Sequence, residues 1–243
     1  MLVKFSSRFL RRAGSWAAAL ALGSVLLAGC SSGLSDEGEA LSIEQSENLA
    51  QARFQLGVQD AFGAEVSIGA ADDTGHLDAD LTVDTATHTA WGTLERGPQG
   101  LAVQEQVVLS AQGYAVLDSS NTWNTYPWGK QAPQGLAVVF SLAADRPENA
   151  QLLRQSDARY LGSAKPEDGQ DGKELDVYRL PTAEGTDDAH TRLWLDGTEL
   201  HRLDDTDGGL VITIDQQASE QSKPQGFDQV LDALSGAEGE SHD

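Results

Sequence analysis

The stretch from Leu77 to Asp84 constrains the fold most. Leu77, Ala79, Leu81 and Val83 alternate with Asp78, Asp80, Thr82 and Asp84. Successive side chains on a strand point to opposite faces, so this reads as a strand with one buried and one wet face. Thr85–Thr87 turns the chain, and His88 to Leu94 returns as the next strand. Leu101, Val103, Val107 and Leu109 share one face of a further strand, with Glu105 as the exception. Gly113 then leads into Tyr114–Leu117. Connections this short permit only antiparallel neighbours, because a parallel pair needs a crossover of a dozen residues or more.

Helical signals flank this meander. Ser42 followed by Gln45 is a capping box, and Leu49, Ala52 and Leu56, with Ala50 and Phe54 nearby, form an apolar face from Ile43 to Leu56. Ser119–Pro133 reads as an aromatic loop, and Leu136–Ala144 as a short buried helix with a strand as the alternative. Asp145 with Glu148 resembles a second capping pair for a helix over Ala150–Tyr160, stopped at Gly162. Four strands close the chain: Glu174–Leu180, His190–Leu195, Glu199–Leu203 and Leu210–Ile214. The Asp196-Gly197 pair is a hairpin turn. The expected class is α+β: a curved antiparallel sheet covered by a few helices.

The first thirty residues say where such a domain would work. Lys4, Arg8, Arg11 and Arg12 precede an apolar run from Trp16 to Ala28, which ends in Leu27-Ala28-Gly29-Cys30. A basic start, a short apolar stretch and small residues before a cut mark a secretory signal. The tetrapeptide resembles a bacterial lipobox, in which the thiol of Cys30 receives a diacylglyceryl group and the peptide is cut just before it. Cys30 is the one cysteine in the sequence. Two acyl chains hold a soluble domain to a membrane where one is marginal, since each buried CH₂ adds about 0.8 kcal/mol. The expected organisation is a signal over 1–29, a lipidated Cys30 and flexible tether over 30–41, an α+β domain over 42–216, and an acidic tail over 217–243. In that tail Phe227, Val230, Leu231 and Leu234 make one or two amphipathic turns.

Charge narrows the partners. The signal carries four of the 16 Lys and Arg and none of the 38 Asp and Glu, so the remainder has 12 against 38, a formal charge of −26. Such a surface repels phosphate backbones, which sets nucleic acid aside as a partner. A lipidated Cys30 would leave no thiol for disulfides, zinc-thiolate sites or nucleophilic catalysis. His76, His88, His190, His201 and His242 show no H-E-x-x-H spacing. His190 and His201 can be cross-strand neighbours, but a third metal ligand is not evident. There is no G-x-S-x-G elbow, Walker A motif or Rossmann glycine pattern. The expectation is a protein that is not an enzyme, with no cofactor or metal.

The region 42–216 resembles the LolA-like superfamily of lipid-binding lipoproteins, of the LppX/LprG kind. The similarity lies in the segment Ala144-Asp145-Arg146-Pro147-Glu148-Asn149-Ala150-Gln151-Leu152-Leu153, then Ala158-Arg159-Tyr160-Leu161-Gly162, and Asp176-Val177-Tyr178. It lies also in the hairpin Leu193-Trp194-Leu195-Asp196-Gly197-Thr198-Glu199-Leu200-His201-Arg202, which is one residue shorter at its turn than the group's pattern. The resemblance implies a half-barrel sheet lined with apolar side chains and closed by helices, holding an acyl chain or a similar apolar ligand. Trp91, Val107, Leu109, Trp123, Trp128, Phe140 and Trp194 are the expected cavity residues, with the Trp123–Trp128 loop as part of a lid. The expected place is the extracytoplasmic face of the cell membrane. The alternative is an envelope interaction or regulatory module with the same fold and no cargo.

Overall fold

The computed structural model describes residues 34–71, 73–98, 102–129, 133–166, 172–181, 191–205, 209–216 and 221–236. The lipobox residues Leu27, Ala28, Gly29 and Cys30, together with His190, lie outside the described residues.

The chain enters through β1 (Glu39–Ala40) and α1 (Ile43–Gly57). Six strands follow as a continuous meander: β2 (Ala61–Ile68), β3 (Leu77–Asp84), β4 (Thr89–Arg96), β5 (Val103–Leu109), β6 (Gly113–Leu117) and β7 (Trp123–Pro127). The chain then leaves the sheet through α2 (Gln134–Ala137), a 3-10 helix (Val138–Ser141) and α3 (Ala150–Gln155). It returns at the opposite edge for β8 (Arg159–Ala164), β9 (Leu175–Arg179), β10 (Thr191–Asp196), β11 (Glu199–Asp205) and β12 (Leu210–Asp215), and ends in α4 (Phe227–Gly236).

All twelve strands join one sheet in the order β1-β8-β9-β10-β11-β12-β2-β3-β4-β5-β6-β7. Each neighbouring pair is antiparallel. The seam between the two meanders is β12 against β2, from Leu210 opposite Ile68 to Asp215 opposite Gly63. The sheet curls without closing, and its inner face is covered by helices, which makes it an α+β half-barrel.

Parity assigns the faces. Phe62, Ala64 and Val66 of β2, Leu77, Ala79, Leu81 and Val83 of β3, Leu193 and Leu195 of β10, and Ile212 and Ile214 of β12 share one core with Leu49, Ala52 and Leu56 of α1. The capping box at α1 is formed on both sides: Gln45 N–H donates to the Ser42 hydroxyl, and Ser42 N–H donates to the Gln45 side chain. Those two bonds satisfy donors that a helix start otherwise leaves unpaired.

Four expectations are corrected. The helix over Ala150–Tyr160 is shorter: Asn149 rather than Asp145 caps it, accepting from Gln151 N–H and Leu152 N–H. Ser156 is already extended, and the chain continues as β8 because Arg159–Ala164 finds β9 on one side and β1 on the other. Gly162 is then no helix stop; it has φ +118 at an irregularity in the β8–β9 register, a backbone region that glycine tolerates. The aromatic loop contains β7, paired with β6 from Trp123 opposite Leu117 to Pro127 opposite Gly113. The tether is partly structured: Ser35 N–H donates to Leu161 C=O, and Leu34 packs on Leu161, Leu175, Val177 and Trp194.

The tail is the fourth. Within it, α4 is a ten-residue helix that buries Phe227, Val230 and Leu234 against Trp91, Val108 and Ala115 on the outer face. Trp91 meets Phe227 edge-on, with ring centroids 5.4 Å apart, and its Nε1 donates to the Gln221 carbonyl. The helix runs longer than the expected one or two turns, because an aromatic contact of this kind adds to the area buried.

The β6–β7 turn carries a pH signature. The Asp118 carboxylate accepts from the Ser120 hydroxyl, Thr122 N–H, Asn124 Nδ2 and Ser120 N–H. These bonds, led by the Ser120 hydroxyl, lower its pKa from 3.8 to about 2. A carboxyl depressed on folding stabilises above its unfolded pKa, and that contribution is lost as pH falls through the folded value. The Asp118 contribution should therefore be complete above about pH 4 and disappear towards about pH 2. Carboxyl ¹³C shifts followed by NMR should give a midpoint near 2; an ordinary aspartate midpoint would show that the turn does not hold in solution.

Candidate functional site

The inner face is a continuous apolar wall. Val107 and Leu109 of β5 and Tyr114 and Val116 of β6 extend it to one side, and Tyr178 of β9 and Leu200 and Leu203 of β11 extend it to the other. Among the described residues the buried polar side chains are Ser46, His76, Thr82, Thr89, Ser110 and Asp204. Such a surface binds by excluding water, with few polar groups to orient a ligand.

The cover is the segment from Pro133 to Leu142. Leu136, Val139 and Leu142 are fully buried beneath it. It seats closely: a Cβ at Gly135 would stand 2.7 Å from Ile68 Cδ1 and 3.2 Å from Leu210 Cδ1. Yet neither α2 nor the 3-10 helix has a side-chain cap. Two helices of four residues each have little stability of their own, so packing and the tertiary bond from Arg53 to the Ser141 carbonyl hold this segment in place.

Arg53 of α1 anchors the far end of the cover. Its Nε donates to the Ser141 carbonyl and its Nη1 meets the Glu148 carboxylate at 2.8 Å. The segment beyond forms an open groove of about 1290 Å³, lined by residues including Pro147, Glu148, Leu152, Ser156 and Pro181. At the rim near β7, Trp128 Nε1 donates to the Ser110 carbonyl, and Tyr114 stacks on Tyr126 at 5.1 Å and leans on Trp128 at 5.3 Å.

The expected cavity residues separate into two sets. Val107, Leu109, Trp128 and Phe140 belong together at the inner face and its rim. Trp91 and Trp123 stand on the outer face with α4, and Trp194 stands on the outer face with Leu161, Leu175 and Val177. Trp91 is out of phase with Ala90 and Leu94, and Trp194 with Leu193 and Leu195, so none of these three tryptophans lines the inner face.

Tyr178 was not anticipated. It is fully buried, its hydroxyl has no hydrogen-bond partner among the described residues, and its ring lies 5.5 Å from that of Tyr160. Burial first, and the nearby Asp176 carboxylate second, push its pKa well above the ordinary phenol value. It stays a neutral donor in an otherwise apolar wall. Its alternation with Val177 was the available signal.

The fold and its site thus define a covered half-barrel whose inner surface is suited to apolar contact. No family model matches the chain, and no curated protein matches it. Among solved structures it is similar to LprF from Mycobacterium bovis, with 13% identity over 76% of this chain and 98% of that one, at a TM-score of 0.47. It is similar also to the lipoprotein LppX from Mycobacterium tuberculosis, with 13% identity over 73% and 96%, at 0.42. An uncharacterized conserved protein from Thermus thermophilus shows 12% identity over 74% and 92%, at 0.40. The fold is defined by its own strand order and core.

Proposed function

We propose that this protein is a lipoprotein tethered by a diacylated Cys30 to the extracytoplasmic face of the membrane, where it holds an apolar chain of a lipid between the inner face and the Pro133–Leu142 cover. One observation carries the reading: a continuous apolar wall is closed by an uncapped segment with three buried side chains, Leu136, Val139 and Leu142. When the cover lifts, an acyl chain takes the place of those side chains against Ile68, Leu210 and the β2–β12 seam. A ligand shifts this equilibrium only by its preference for the open state, so the open form must expose wall that the lipid then buries. The work is binding and release, without bond chemistry, and no cofactor is needed.

A second reading has its own observation. Leu136 and Val139 are fully buried, so the interior is filled when the cover is closed. A filled half-barrel suits an interaction module at the envelope.

Native mass spectrometry of the chain carrying Cys30→Ser, which cannot be acylated at that position, separates the two. The carrier reading expects a co-purifying lipid mass that is lost on Phe140→Asp or Trp128→Asp while the circular dichroism spectrum is kept. A bare protein mass that stays bare with added phospholipid or free fatty acid would eliminate lipid carriage and leave the interaction module.

A further inference from the structure

At the β10–β11 turn, we infer a site for one divalent transition-metal ion of the zinc class, held by Asp196, Glu199 and His201. One carboxylate oxygen from each acid and one imidazole nitrogen lie within 4.8 Å of one another. Around a tetrahedral ion bonded at about 2.0–2.1 Å, ligand atoms stand ~3.3 Å apart, so modest side-chain rotation closes the set. His201 Nε2 is already 3.8 Å from Glu199 Oε1.

Three features of the hairpin point to a cation. Asp196 and Glu199 are direct partners across the turn, and like charges directly opposite destabilise a sheet. The β10–β11 register shifts between Trp194, opposite Arg202, and Leu195, opposite Leu200, which leaves His201 as the extra residue. A bulge of this kind re-aims a side chain, and here it directs His201 towards the two acids. Finally, His201 Nε2 is buried and has no hydrogen-bond partner among the described residues, although the side chain as a whole is 30% exposed. An orphaned imidazole nitrogen beside two carboxylates is a donor set without its acceptor.

The Lys173 ammonium, paired with Asp196, is the cation the hairpin carries in this structure. Among the described residues, no hydrogen bond reaches the imidazole Nε2. A divalent ion would satisfy all three groups and keep its remaining coordination for water. The imidazole selects against calcium, which takes oxygen ligands, and favours zinc, cobalt or nickel. Asp196 and Glu199 flank the turn glycine Gly197, at φ +60, and the spacing D-x-x-E-x-H brings all three ligands from six residues of chain.

The test is calorimetry with Zn²⁺ on the full chain after stripping with EDTA, with circular dichroism recorded on each variant. One equivalent should bind, with affinity reduced about ten-fold or more by His201→Ala and by Glu199→Gln. Lys173→Met should strengthen binding, because it removes the competing ammonium, whereas nonspecific binding to an acidic surface would not respond to His201→Ala. No Zn²⁺ bound at micromolar concentration by the wild-type chain, or affinity unchanged in folded His201→Ala, would overturn the site. Should His201→Ala unfold the chain, the conservative Glu199→Gln and Lys173→Met pair decides: opposite shifts in affinity support the site, and equal affinities reject it.

Discussion

Replacing Asp204 with alanine should lower stability by about 3–5 kcal/mol, the range for removing one partner of a buried ion pair. Asp204 is 2% exposed on the outer face, where it accepts from Arg192 Nε at 2.6 Å, Arg202 Nε at 3.0 Å and Trp194 Nε1 at 3.1 Å. Both guanidinium groups also lie over the Trp194 ring, 5.9 and 5.6 Å from its centroid. With the carboxylate gone, two half-desolvated cations would face each other and the indole N–H would lose its acceptor. The penalty comes from what is left behind, so the triple change Arg192→Met, Arg202→Met, Asp204→Leu should be far milder than Asp204→Ala alone. Urea midpoints of the three proteins provide the check. A loss below about 1 kcal/mol in Asp204→Ala, the range of an exposed pair, would mean that water reaches these arginines.

Phe62→Ala should cost about 3–5 kcal/mol through the cavity it leaves. Phe62 is fully buried on β2, beside the seam that β12 makes with β2. Its neighbours belong to strands paired along their whole length, so the space cannot collapse as it might under a loop. Leu152→Ala is the matched control: Leu152 is 62% exposed on α3, and its removal should stay within about 0.5 kcal/mol. Equal effects of the two changes, read from urea unfolding, would show that the inner face is not a packed core.

Much of the fold was legible because its signals are local. Ser42 and Gln45 announce α1 through groups three residues apart. Leu77–Asp84 announces a strand through strict alternation. What escaped depends on distant partners. Arg159–Ala164 follows a helix and has the composition to extend it, but β1 and β9 make it a strand. Phe227, Val230 and Leu234 need Trp91, far back in the chain, before a helix there has anything to bury.

The site was readable in the same uneven way. Val107, Leu109, Trp128 and Phe140, expected as cavity residues, do pack with the inner core. Trp91, Trp123 and Trp194 were not, because an apolar residue on a strand ordinarily signals the covered face, and this sheet has apolar cover on both faces. His201 stands out in the sequence with His190 as its apparent partner, and no pattern in sequence shows that a bulge would direct it to Asp196 and Glu199.

The seam between β12 and β2 has a consequence for how the chain is made. A ribosome delivers β2 to β7 well before β8 to β12, and each of these strands finds a partner close by in sequence. The exception is one edge of β2, which waits for Leu210–Asp215. Until those residues emerge, the β2 edge is an unpaired template and the inner wall has only part of its sheet. Exposed edges and late long-range pairings are where nascent chains aggregate, and closing so long a loop slows the final step. A half-barrel wired in this order has its most vulnerable moment late in synthesis, and any factor that shields strand edges would act there.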